Sequence, residues 1–390
     1  MRLADVLAQL DDWYPPHHAD EWDRVGLVCG DPDVEVSRIL LAVDPVQAVA
    51  EEAVALGADL VVVHHPLFLR GTSTVAASTS KGRVVHTLLT NGCALYAAHT
   101  NADSPAGGVS ESIALALGLT DVRPLEADPL DPRDKIVVFV PAAEAEKVRT
   151  ALTDAGAGAI GDYDSASFST PGEGRFRPLE GAHPTIGSVG ELEVVEEVRV
   201  EVVADRGLRA KVLAAMFTAH PYEEPAYDVV ELAALPDPTR GSGRIGTLPV
   251  PMSLSTFAEH AAQVFPPTAA GLRIAGDPDR EVRTVALCGG AGDFLLGRAR
   301  AAGADVYVTS DLRHHPASEA LEDGGPALVD VAHWAAESLW LPVLRERLVA
   351  ALADGRLGED GARGFDKLNP TDTVTVHVST TPTDPWTFRV

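Results

Sequence analysis

A chain of 390 residues, 46% apolar and 23% charged, is long enough to bury more than one core and reads as two or three domains of a soluble globular protein. Its 31 basic side chains against 57 acidic ones leave a net charge of −26, which argues against nucleic acid as a main partner because phosphate neutralisation needs a basic surface. Cys29, Cys93 and Cys288 are too few and too scattered for a disulfide framework or a zinc–thiolate site; with no signal peptide and no apolar run near the roughly 18 residues that span a bilayer, the expected location is cytoplasmic.

Apolar runs and helix-period segments alternate over the first 119 residues, at 39–43, 46–56, 60–63, 81–89, 95–98 and 109–117. This rhythm predicts an α/β layer with a largely parallel sheet. A different pattern follows, bounded by turn-rich linkers at 128–132 and 236–243. Within it a strand at 135–140, a helix at 143–155, strands over 193–203, a helix at 208–218 and a strand at 227–232 predict a compact α+β insert of ferredoxin-like type. The first rhythm returns at 282–287, 294–302, 306–308 and 317–321, with a long helix after His333. The expected organisation is one α/β domain in two related halves, 1–124 and 245–390, interrupted by an insert at 125–244. A local echo, VVVHHP in the first half and VYVTSDLRHHP in the second, suits that reading.

Three cues carry chemistry. The apolar run at 60–63 ends in His64-His65-Pro66, another short run leads into His99-Thr100-Asn101-Ala102-Asp103, and Asp330-Val331-Ala332-His333 is followed one helical turn later by Glu337. Parallel sheets place their sites at strand carboxyl ends, where all three cues fall. Each alone reads as a backbone cap or a solvated helical pair, but together they supply nitrogen and oxygen donors for two divalent ions, zinc, manganese or iron. His64 and His65 can both serve only if the backbone leaves the strand there, which Pro66 encourages. His333 and Glu337 share a helix face. Two ions offset by two carboxylates keep a positive surplus suited to a hydroxide or a phosphate oxygen. His99, Asn101, Asp311 and His315 are expected behind the ligands, holding them or moving a proton, with His99 and His315 as the candidate catalytic groups. The segment 288–293 reads as a tight structural turn. His220, Glu223 and Glu224 read as packing or subunit contact, not catalysis.

In their order and spacing, DEWDRVGLVCGD, VVVHHPLF, AAHTNADSPAGGVSESIALALGL, ALCGGAGD, TSDLRHHPASEAL and DVAHWAAESLW resemble the GTP cyclohydrolase 1 type 2 homologue family, also called Nif-three-like, along nearly the whole chain. The resemblance implies a dinuclear centre with His64, His65, Asp103, His333 and Glu337 as ligands and Glu337 as the bridge. It further implies a PII/CutA-like insert carrying the HPYEEPAYD signature, and a homohexameric toroid with its sites facing an inner cavity. The chain departs from the family at Thr309-Ser310-Asp311, where Ser310 stands in place of Gly and the carboxylate is kept. Two functions then compete. One is a metal-dependent hydrolase acting on a nucleotide or another phosphorylated metabolite, with His99 or His315 as proton shuttle if GTP is opened. The other is a non-catalytic metal-binding regulator or scaffold whose insert senses an effector. A ring enclosing single-stranded nucleic acid is a third, disfavoured reading.

Overall fold

The computed structural model describes residues 1–353 and 374–390, which form two compact units, Met1–Asp128 with Pro238–Val390, and Pro129–Asp237. The larger unit holds two mixed sheets. In the first, strands Gly26–Cys29, Ala94–Ala97, Leu60–Val63, Arg38–Ala42 and Thr375–Val378 lie in that order, all pairings parallel except the first. The second runs Arg273–Ala275, Ala327–Val331, Val306–Ser310, Glu281–Ala291, Pro236–Ser253, Thr120–Pro129, with its three middle strands, Ala327–Val331, Val306–Ser310 and Glu281–Ala291, parallel.

Period-2 alternation explains why both faces of these sheets are buried. Ile39 and Leu41 join a core shared with Val308, Val329 and Trp340, whereas Leu40 and Ala42 point the other way, against helices Gln47–Leu56 and Ser80–Thr90. The second sheet repeats the arrangement, with Tyr307 and Ala286 turned toward Leu295 and Ala299. One core therefore lies between the two sheets. Local signals set the helix ends: the Thr79 hydroxyl accepts from Gly82 N at 3.0 Å to start one helix, and Gly57, at φ +68°, ends another.

The smaller unit is a four-stranded antiparallel sheet, ordered Ser167–Phe176, Glu193–Asp205, Arg133–Pro141, Tyr227–Glu231, carrying helices Ala145–Asp154 and Arg209–Ala219. Ile136, Val138, Val148, Val200 and Met216 fill its core. Its first strand escapes the sequence reading for a physical reason. Ser-Phe-Ser-Thr-Pro-Gly-Glu-Gly has little strand propensity and contains Pro171, which is tolerated because this strand is at the sheet edge. The linkers expected at 128–132 and 236–243 are also corrected in part, since Pro236–Ser253 is one long strand beside Thr120–Pro129. Among the described residues no helix is long and apolar enough to cross a membrane.

Candidate metal centre

The carboxyl ends of the central parallel strands deliver the site. After Leu60–Val63 the amides of His64 and His65 both donate to the Val43 carbonyl, at 3.1 and 2.9 Å, so the backbone turns out of the strand and both imidazoles reach one side. His64 is fully buried and His65 partly so. After Ala94–Ala97 the short helix Thr100–Asp103 brings His99 and Asp103 to the same place. After Ala327–Val331 the helix His333–Ser338 sets His333 Nε2 2.9 Å from Glu337 Oε1. His64, His65 and His99 form one group of potential ligand atoms within 4.8 Å of one another, and His65, His333 and Glu337 form a second.

Each of the four imidazoles is held from behind. His64 Nδ1 lies 2.9 Å from the Ala98 carbonyl, His65 Nδ1 2.7 Å from Asp44 Oδ1, His99 Nδ1 2.9 Å from Asp23 Oδ1 and His333 Nδ1 2.7 Å from Asp311 Oδ2. An acceptor on Nδ1 fixes the proton there and leaves the Nε2 lone pair for a cation. All four Nε2 atoms thus become donors toward one centre. Glu337 offers Oε1 to His64 and His333, at 3.5 and 2.9 Å, and Oε2 to His65 at 3.1 Å.

A divalent cation fits these residues on independent grounds. His64 Nε2 and Asp103 Oδ1 are buried and lack a hydrogen-bond partner, and Glu337 Oε2, also buried, has only His65 Nε2 near it, at 3.1 Å. Buried polar atoms are rarely left so, and a shared cation accounts for all three together. Gly290, at φ +66°, keeps the place open, because a Cβ there would stand 2.6 Å from Glu337 Oε1 and 3.2 Å from His333 Nε2. The segment 288–293 is therefore more than the tight structural turn expected from the sequence. It lies at the end of strand Glu281–Ala291, where a register shift bends the chain toward the site.

Electrostatics agree with this arrangement. Burial disfavours the charged form of His65, but Glu337 and Asp44 outweigh it and lift the group to about 11. His333 likewise rises to about 9 despite its burial, through Glu337 and Asp311. Burial raises Asp103 to about 6, and the surrounding imidazoles hold Glu337 well below the carboxylate range against its own burial. Both raised histidines therefore carry a proton at pH 7 in the metal-free protein, and those protons must leave before Nε2 can bind. Adding zinc or manganese to stripped protein in weak buffer should release protons, and apparent affinity should rise with pH through about 9, where His333 loses its proton, and on toward about 11, where His65 does. A pH-stat trace with no release on saturation would contradict the ligand assignment.

Other expected positions divide. Asp311 sits directly behind His333 and holds a φ of +56°, an uncommon backbone state for a residue other than glycine. Asn101 is buried, accepting from His99 N at 3.0 Å and donating to the Tyr14 carbonyl at 2.6 Å. His99, expected behind the ligands, is instead level with His64 and His65. His315 is not brought to the site. It lies exposed in helix His314–Glu322 with its ring against His314, and the chain has already turned away from the centre at Asp311. His220 packs within the smaller unit, its Nδ1 accepting from Tyr222 N and its Nε2 donating to the Phe139 carbonyl, each at 3.0 Å.

Several contributors escaped the sequence reading. Asp44 follows the strand Arg38–Ala42 as His64 follows its own, a positional signal that could have found it. Asp23 is buried before the start of strand Gly26–Cys29, not after a carboxyl end, and against burial His99 with Thr100 pulls its carboxyl well below the usual range. Trp340 packs its ring 5.6 Å from that of His64. The buried Arg244 guanidinium donates to the carbonyls of Ser104 and Pro105, at 2.7 and 2.8 Å, fixing the loop just past Asp103. A cavity of about 320 Å³ opens onto the centre, edged by the exposed rings of Trp22 and Phe294.

Comparison with known proteins identifies the family and the fold. Residues 1–359 match the family Duf34/NIF3 (NGG1p interacting factor 3). A Mycobacterium bovis protein named GTP cyclohydrolase 1 type 2 homolog is 52% identical over 362 residues, covering 90% of this chain and 93% of its own; a Bacillus subtilis protein of the same name is 37% identical over 383 residues, covering 98% and 97%. Among solved structures, a Bacillus cereus protein related to NIF3 is 38% identical with a TM-score of 0.76, and Staphylococcus aureus protein SA1388 is 26% identical with a TM-score of 0.80. Each comparison covers 100% of this chain and 99% of the other. A mixed α/β fold shared with these structures and a sequence match along almost the whole length place the chain in the Duf34/NIF3 family.

Proposed function

We propose that this protein binds two divalent ions through His64, His65, Asp103, His333 and Glu337, and that it hydrolyses a nucleotide or another phosphorylated metabolite. The observation that carries the reading is the meeting of two buried, unpartnered atoms, His64 Nε2 and Asp103 Oδ1, 3.6 Å apart, with the Glu337 carboxylate 3.5 Å from the same nitrogen. Both Glu337 oxygens face imidazoles, which suits a carboxylate shared between ions. Bound divalent ions supply Lewis acidity and an activated water near neutral pH. The chain's own part is to orient and to exclude. Asp44, Asp23 and Asp311 fix the imidazole tautomers, Trp340 and the sheet core keep bulk water from the rear, and Gly290 leaves the front open. His99, tied to Asp23, is the group best placed either to complete the ligand set or to take a proton. The relatives' printed name points to GTP as the first substrate to try.

The test is direct. Protein loaded with zinc, manganese or iron is incubated with GTP and a panel of phosphoesters, and the rates of His65→Ala and Glu337→Ala are measured alongside. Turnover that both substitutions abolish supports the hydrolase; equal rates in the variants defeat it.

A second reading, a metal-binding regulator, draws support from the smaller unit. Its βαββαβ order and antiparallel pairing fit a ferredoxin-like, PII/CutA-like module, and it contains a cavity of about 540 Å³ edged by Phe139, Phe176 and Tyr222. Absence of turnover on the whole panel, with a small effector binding to this unit, would favour it. We further propose a homohexamer, checked by light scattering of the purified chain.

A further inference from the structure

A second cavity, about 660 Å³ in volume, backs onto the same two histidines, His65 and His333, from the side of Asp44 and Asp311. Its outer wall is the segment after strand Thr375–Val378. That segment is pinned along its length: Ser379 Oγ and Thr380 N donate to Glu52 at 2.6 and 3.0 Å, the Thr383 hydroxyl donates to Asp44, and Arg389 donates to the Ala270 carbonyl at 3.4 Å. Two aromatic rings on it, Trp386 and Phe388, remain 69% and 79% exposed at the cavity while Trp334 lines the same space from the domain.

The charged groups here are mostly satisfied, and the exceptions define the ligand. Asp44 and Asp311 hold histidines, and Asp330 pairs with Arg273. Asp384 Oδ2 is buried and finds no donor among the described residues. Arg389 meets a neutral carbonyl, so its charge is still available. We propose that this cavity binds a planar heterocycle that stacks on Trp386 and Phe388, donates ring or amino N–H groups to Asp384, and offers a ring carbonyl to Arg389. Guanine and pterin-type rings have that chemistry; a carboxylate reading N–H donors beside an aromatic face is a general solution for such bases. An aromatic cage for a quaternary ammonium would use the same rings and carboxylate, but it would leave the Arg389 guanidinium, whose partner is a neutral carbonyl, facing a second cation, whereas a ring carbonyl gives it an acceptor.

The assignment stands apart from hydrolysis and is tested by binding. Calorimetry on the full chain as purified compares guanosine, purine riboside, which lacks both the N–H donors and the carbonyl, and choline. Guanosine carries no phosphate, so a metal centre's attraction for anions does not contribute. Guanosine should bind at least about tenfold tighter than purine riboside. The near-isosteric Asp384→Asn should remove most of that difference, and Trp386→Ala should weaken both nucleosides about equally, with unfolding midpoint and metal content unchanged. No guanosine binding, equal binding of the two nucleosides, a preference for choline, or a difference that survives Asp384→Asn would each overturn the proposal. So would a change of particle mass in Trp386→Ala with guanosine binding intact, which would make the tail an interface element.

Discussion

Glu337→Ala should purify without divalent metal at concentrations that saturate the unaltered protein, as counted by elemental analysis per chain. Among the described residues of the centre, no other side chain serves so many partners at once: its two oxygens face His64, His65 and His333 from a position only 2% exposed. Loss of groups that merely hold a ligand costs roughly 10–100-fold in affinity, and removing a shared ligand should exceed that. A second readout distinguishes lost ligation from misfolding. Glu337 is the main attraction raising His333 and a large part of that raising His65, so the metal-free variant should show both imidazoles titrating at lower pH by NMR. Asp311→Asn, by contrast, should keep metal at reduced affinity. Unaltered metal content in Glu337→Ala would remove the basis of the site.

Gly290→Ala should empty the centre without touching a ligand. The residue holds φ +66°, and its added Cβ would come within 2.6 Å of a carboxylate oxygen that is itself buried and cannot swing away. The left-handed backbone alone costs an L residue about 1–2 kcal/mol. Gly303 isolates that part, because it sits at φ +72° and a methyl group there would meet nothing within 4 Å. Gly303→Ala should therefore lose a similar amount of stability in thermal unfolding yet bind metal normally. Gly290→Ala should lose stability and metal together, and normal metal content in it would mean that the open space before Glu337 is not where ions sit.

Much of this centre was legible in the residues. The strand-ending histidines His64 and His65, the pair His333 and Glu337 four residues apart, and Asp103 after its own apolar run all announce themselves through local chemistry and period. His315 misled for the same reason. The HHP echo looks identical in sequence at 64–66 and 314–316, but the first follows a strand whose end turns inward, whereas the second starts a helix already past the turn at Asp311.

Residue order alone was enough to specify most of the elements, the family and the residues that gather at the candidate site, because periodicity and residue type are local properties. Which donors meet was left to the folded chain. Asp23, Asp44 and Arg244 stand 76, 21 and 139 or more residues from the groups they hold, and nothing local marks them for one another. Likewise Gly290 reads only as part of a tight turn until a distant helix brings Glu337 against it. Pairing across such separations is settled by how two sheets share one core, a long-range packing outcome to which no short stretch of chain commits.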